Sequence, residues 1–132
     1  MTYLTKDILI HLNRDIIKHT GGFWEAAGRT HNEISLGYLI EIVQQKFYNE
    51  EEIYPGIEQK AALYAYNIIT RHIFIDGNKR TGMIAAILFI IANGKEMKDE
   101  VTSNEIVRIA KLISDGSMEY NELVEIFRNW IN

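Results

Sequence analysis

The chain of 132 residues is 47% hydrophobic with a formal net charge of −4, apolar enough for one sizeable core and too short for two, so a single domain over 1–132 is expected. A pI near 5.6 excludes recognition of nucleic acid by bulk charge, and the absence of cysteine excludes a disulfide framework or a thiolate metal site. Met1–Asp7 lacks the basic-then-apolar order of a secretion signal, and the longest apolar stretch, Met83–Ala92, is half the roughly 20 residues a bilayer crossing needs; a cytoplasmic protein without membrane or nucleic-acid partners is expected.

An N-cap at Thr5 opens a first helix burying Leu9, Leu12 and Ile16. The stretch from Gly21 to Arg29 holds three glycines and no helical period, which makes it a surface loop. Leu36, Leu39, Ile40, Val43 and Phe47 then fall on one face of a second helix. Asn49 to Gly56, with an acidic cluster and the only proline, Pro55, is a second surface loop, and Glu50, Glu51 and Glu52 read as its solvated face. Ile57, Ala61, Tyr64 and Ile68 mark the next helix. From Met83 to Ala92 apolar residues cover every side, as in a helix at the middle of a bundle. That central helix spans Asn78 to Asn93, where Asn93 and Gly94 supply residues that tolerate a left-handed helix end. Ile106, Ile109, Ala110 and Ile113 form one further helical face, and Leu123, Ile126, Phe127 and Trp130 the last. The fold expected is all-α.

The chemistry concentrates where the loop from His72 meets this central helix. A helix start presents free N–H groups and a favourable dipole to an anion. Gly77 lets the backbone approach that anion closely, and Lys79 and Arg80 add positive charge, so the segment reads as a phosphate cradle. Asp76 beside a phosphate suits a magnesium ion, which one or two carboxylates commonly hold. His72 is the residue of the run able to accept a proton near neutral pH, for example from a hydroxyl attacking phosphorus. Phe74 and Ile75 serve as apolar anchors. Any one of these residues alone is more often a turn, cap or packing residue; their density within nine positions reverses that ordering.

The run His72 to Arg80 resembles the Fic-family signature His-x-Phe-x-Asp/Glu-Gly-Asn-Gly/Lys-Arg. With Lys79, Thr81 and Gly82 it looks more like the death-on-curing, or Doc, branch. The similarity extends back through Glu52–Ala61 and forward to Asn93 and Gly94, about a third of the chain. The resemblance implies a compact bundle around a central buried motif helix. It also implies His72 as general base, Asp76 as Mg2+ ligand, Phe74 as buried anchor, and Gly77, Asn78, Lys79 and Arg80 on the phosphates of ATP or another nucleoside triphosphate. Adenylyltransferase members carry a second arginine three positions after the first, where this chain has Met83. An uncharged side chain there cannot clamp a terminal phosphate. Transfer of that phosphate to a hydroxyl of an intracellular protein, such as a translation component, therefore ranks above AMP transfer, and a non-catalytic nucleotide- or partner-binding module ranks third. No Ser/Thr-x-x-x-Glu-Gly/Asn inhibitory pattern is found in the chain, and the resemblance implies the toxin half of a pair restrained by an antitoxin protein.

His11, His19 and His31 lack partners at ligand spacing and are expected on the surface or in packing. Trp24 is expected to fold back from its glycine loop onto the core, with a contact to a protein partner as the alternative. Arg29 follows that loop without a role the spacing assigns, and a flap that positions the target is sought between Phe47 and Pro55.

Overall fold

The computed structural model describes residues 1–132. Six helices follow one another: α1 (Lys6–Thr20), α2 (Glu33–Ile42), α3 (Ile57–Thr70), α4 (Asn78–Ala92), α5 (Ser103–Ser114) and α6 (Tyr120–Trp130), with one 3-10 turn at Trp24–Ala26. There is no strand, only the isolated bridge pairs Thr30–Phe74, Lys46–Glu52 and Met97–Ile131. The all-α expectation holds. No helix is long and apolar enough to cross a membrane.

The helix ends follow from local chemistry. Thr5 caps α1 by accepting from the Ile8 N–H at 3.2 Å, Asn32 caps α2 through Ser35 and Thr102 caps α5 through Glu105, each satisfying a donor that a helix start leaves free. At the far end of α4, Gly94 takes φ +82 and its N–H donates to Ile91, closing the helix as its sequence predicts.

α4 packs along α3 and is flanked by α1 and α5, and a single hydrophobic core draws residues from all six helices. The α3–α4 approach depends on Gly82. A Cβ there would stand 2.8 Å from Ile69 Cγ1 and 3.1 Å from the Ala65 carbonyl oxygen, and the latter is backbone that cannot rotate away. Replacing Gly82 by valine is therefore expected to lower stability by about 2 kcal/mol through overpacking. A urea midpoint unchanged from the parent chain would show that α3 yields without cost.

Two expectations about the helices fail. α2 ends at Ile42, so Phe47 lies beyond it and is exposed. In a longer helix the Phe47 N–H would bond the Val43 carbonyl; instead that carbonyl accepts from the buried Lys60 ammonium, and the Phe47 N–H turns to Glu51 O at 2.7 Å. Lys60 also pairs with Glu52 at 3.6 Å, so Glu52 points inward while Glu50 and Glu51 stay in solvent. Burial lowers the Lys60 pKa, and Glu52 opposes that shift. The second failure concerns α4, which is not buried all round: Ile84, Leu88 and Ile91 are 40%, 38% and 55% exposed. They form one stripe at i, i+4 and i+7 that the neighbouring helices leave uncovered.

Candidate active site

α3 ends one residue before a sharp turn in which His72 adopts φ +47, a left-handed conformation in which histidine is over-represented among side-chain-bearing residues. Beyond it, the loop is zipped to residues 29–32. His31 and Asn32 both donate to the Ile73 carbonyl at 2.7 and 3.0 Å, and Ile75 donates to the Arg29 carbonyl at 3.1 Å. Ile73 and Phe74 enter the core. Ile75, expected as a second anchor, is 47% exposed and lines the neighbouring cavity instead.

The Asn78 amide closes the loop onto the helix. It accepts from the Phe74 N–H at 2.9 Å and donates to the Phe74 carbonyl at 2.8 Å. Those two bonds tie the side chain to the loop, and the backbone N–H of Asn78 is what the helix start presents to an anion. The first intrahelical bond of α4 runs from Thr81 N–H to Gly77 O, which leaves the N–H groups of Asn78, Lys79 and Arg80 without intrahelical acceptors. Gly77 makes the entry possible at φ +76, and a Cβ there would press on Asn13 and Ile17 at 3.3 and 3.4 Å.

Asp76 is held from a distant part of the chain. Its Oδ2 accepts from the Phe23 N–H at 2.8 Å and its Oδ1 from the Gly77 N–H at 2.8 Å. The Phe23 bond is the main cause of a pKa below the usual carboxylate range, with Gly77 and the Arg80 charge adding to it against partial burial. Because the folded pKa is depressed, ionised Asp76 stabilises the fold above its unfolded value near 3.9, and that contribution is lost as pH falls through the folded value. The stability gap between the parent chain and Asp76→Asn should therefore shrink as pH drops below about 4. Melting curves whose gap is constant from pH 7 to 3 would contradict this reading.

Arg80 reaches the end of α1, donating from Nη1 to the Thr20 carbonyl at 3.1 Å and to the Thr20 hydroxyl. Behind the loop, Asn13 of α1 is fully buried. Its Nδ2 donates to Asp76 O at 2.9 Å and to Thr81 Oγ1 at 3.0 Å, and its Oδ1 accepts from the Gly28 N–H at 2.8 Å. Sequence reading passed over Asn13. The available sign was a polar residue four positions after Leu9 and three before Ile16, on the apolar stripe of its helix.

His72, Asp76, Gly77, Asn78, Lys79 and Arg80 all line one cavity of about 880 Å³ between the start of α4 and the side of α5, at the upper end of the size range of small-molecule sites. The chain has no group of three metal-ligating side chains. A cation at Asp76 must then take its other ligands from bound phosphates and water, which is the habit of magnesium, and the ionised, doubly braced Asp76 carboxylate fits that role. Arg29 is exposed and lies off the cavity, contributing its carbonyl only. Trp24 does not fold back: it is 57% exposed beside Phe23 at 61%, because the Phe23 N–H is drawn to Asp76 and the turn buries Ala26 instead. His11, His19 and His31 are exposed.

A comparison with curated proteins finds no match. A family model described as Fic/DOC family matches residues 3–90, a span that holds the loop, the start of α4 and the α1 residues bracing them. The chain belongs to the Fic/DOC family, whose members are nucleotide-dependent transferases that modify proteins.

Proposed function

We propose that this chain transfers the terminal phosphate of ATP, or of another nucleoside triphosphate, to a hydroxyl of an intracellular protein. The observation that carries this reading is Met83. It lines the cavity where adenylyltransferase members have a second arginine, and it is 1% exposed, so no cation stands at that position to hold the far end of a nucleotide. The phosphate placed at the free N–H groups of α4 is then the one transferred.

His72 accepts the proton of the target hydroxyl as its oxygen bonds to the terminal phosphorus, and the bond from phosphorus to the bridging oxygen breaks to release the diphosphate. Lys79, Arg80 and the first-turn N–H groups offset the charge on the transferred group. Asp76 would hold Mg2+, which when bound neutralises phosphate charge and orients the nucleotide. Catalysis in such a site is mainly positioning and charge stabilisation. A second reading, AMP transfer, draws on Lys111, a cation in the wall of the same cavity.

Incubating cellular proteins with the chain, ATP and magnesium, followed by mass spectrometry, separates the readings. A gain of one phosphate supports terminal-phosphate transfer; a gain of one AMP sinks it in favour of the second. Because no inhibitory pattern lies within the chain, we infer a toxin restrained in the cytoplasm by a separate antitoxin protein. Unrestrained expression that leaves cells growing normally would argue against that.

A further inference from the structure

We propose that Thr20, the last residue of α1, is a positioning residue for Arg80: it holds one nitrogen of the guanidinium and leaves the opposite edge as a two-bond fork for phosphate. The inference rests on the phosphate-cradle reading above and deepens it. Thr20 and Arg80 both line the cavity, and they meet although α2 and α3 intervene between them in the chain.

Three features of the contact carry this. The first is that the acceptors work in one direction. Thr20 donates its single hydroxyl hydrogen to the Ile16 carbonyl at 2.6 Å, so toward Arg80 that oxygen can only accept. The Thr20 carbonyl lies in the last turn of α1, which Gly21 ends at φ +92; carbonyls there lack intrahelical donors, and the helix dipole favours a cation. The second feature is that both bonds fall on Nη1. A guanidinium carries five N–H groups, two of them on that nitrogen, and those of Nε and Nη2 have no partner in the protein. Nε and Nη2 share one edge of the plane, the geometry that meets two phosphate oxygens with parallel bonds. The third is that no carboxylate pairs with Arg80. The ion pairs of the chain lie elsewhere, and Asp76 takes its hydrogen bonds from Phe23 and Gly77. Neutral oxygens therefore fix the direction of the guanidinium while its whole charge stays available to an anion. An untethered arginine would lose rotamer freedom on gripping that anion; Arg80 has lost it beforehand.

The test is a double-variant cycle read by calorimetric titration with magnesium-loaded ATP. Thr20→Val keeps the shape and the carbonyl and removes the hydroxyl, and Thr20→Ser keeps the hydroxyl. Thr20 is exposed, so both variants are expected to fold, and a thermal melt checks this. Thr20→Val should bind ATP about fivefold more weakly than the parent, the effect of a bond to a charged donor discounted for solvent. Thr20→Ser should match the parent, and in an Arg80→Ala background Thr20→Val should cause no further loss. The Arg80 Nε–H resonance should move on ATP addition in the parent and in Thr20→Ser, and much less in Thr20→Val. A role confined to capping α1 would move the melt and leave that resonance response intact, which overturns the proposal. If Thr20→Val binds ATP as tightly as the parent while Arg80→Ala weakens it, Arg80 finds phosphate unaided: positioning by Thr20 is overturned and the cradle stands. An equal loss from Thr20→Val with and without Arg80 also overturns it, since Thr20 then acts by another route. A parent chain that does not bind ATP removes the cradle reading, and the role of Thr20 with it.

Discussion

Exchange of His72 for alanine is expected to slow group transfer by about 10²–10⁴-fold while barely moving the unfolding temperature. The two effects separate because the imidazole is exposed and lines the cavity, so its removal leaves no void in the core. The backbone at this position has φ +47, which alanine tolerates slightly less well than histidine, at a cost of a few tenths of a kcal/mol. His72→Gly removes that cost and is expected to be equally inactive yet at least as stable. Label from the terminal phosphate, followed on a target protein, measures the rate; a melting curve measures the fold. Activity retained in both variants would require another base, and no other imidazole lines the cavity.

The largest stability effect is expected at Asn13. Alanine there strips hydrogen bonds from the Asp76 carbonyl, the Thr81 hydroxyl and the Gly28 N–H, in a position with no access to solvent. Buried polar groups left without partners cost about 1–3 kcal/mol each. Relaxation and water entry recover part of this, so a loss of about 3 kcal/mol is expected, which for a chain of this size lowers the melting temperature by roughly 10 °C. Asn13→Asp should be worse, since it keeps the acceptor for Gly28, loses both donors and buries a charge. A drop below about 1 kcal/mol in Asn13→Ala, measured by urea denaturation, would show that the three groups find other partners.

Asn13 also shows where sequence reading reaches its limit. The helices were recognisable because apolar residues recur every three to four positions, and Thr5 and the pair Asn93 and Gly94 marked the ends of α1 and α4 by side-chain chemistry alone. The motif residues gather in one cavity because they are contiguous and meet a helix start. What pattern does not convey is which side of an apolar helix its neighbours leave bare, hence Ile84, Leu88 and Ile91. Nor does it convey a polar residue buried for its hydrogen bonds. Asn13 and Lys60 both sit on apolar stripes, and their partners, Asp76, Thr81 and Gly28 for one and Val43 and Glu52 for the other, are remote or lie in loops without periodicity. The early end of α2 has the same origin, since it depends on where the Lys60 ammonium goes.

The bonds from Phe23 to Asp76 and from Arg80 to Thr20 join residues that stand more than fifty positions apart in the chain. The motif is therefore a continuous word whose meaning depends on a distant clause. Should α1 and the turn that follows it detach transiently, Asp76 would lose its Phe23 brace and Arg80 its hold on Thr20 even with α4 intact, so the fraction of molecules competent for chemistry cannot exceed the fraction with α1 docked. Hydrogen exchange of the α1 amides then sets an upper bound on specific activity, and random mutagenesis should find inactivating changes in the first thirty residues that touch no ligand at all.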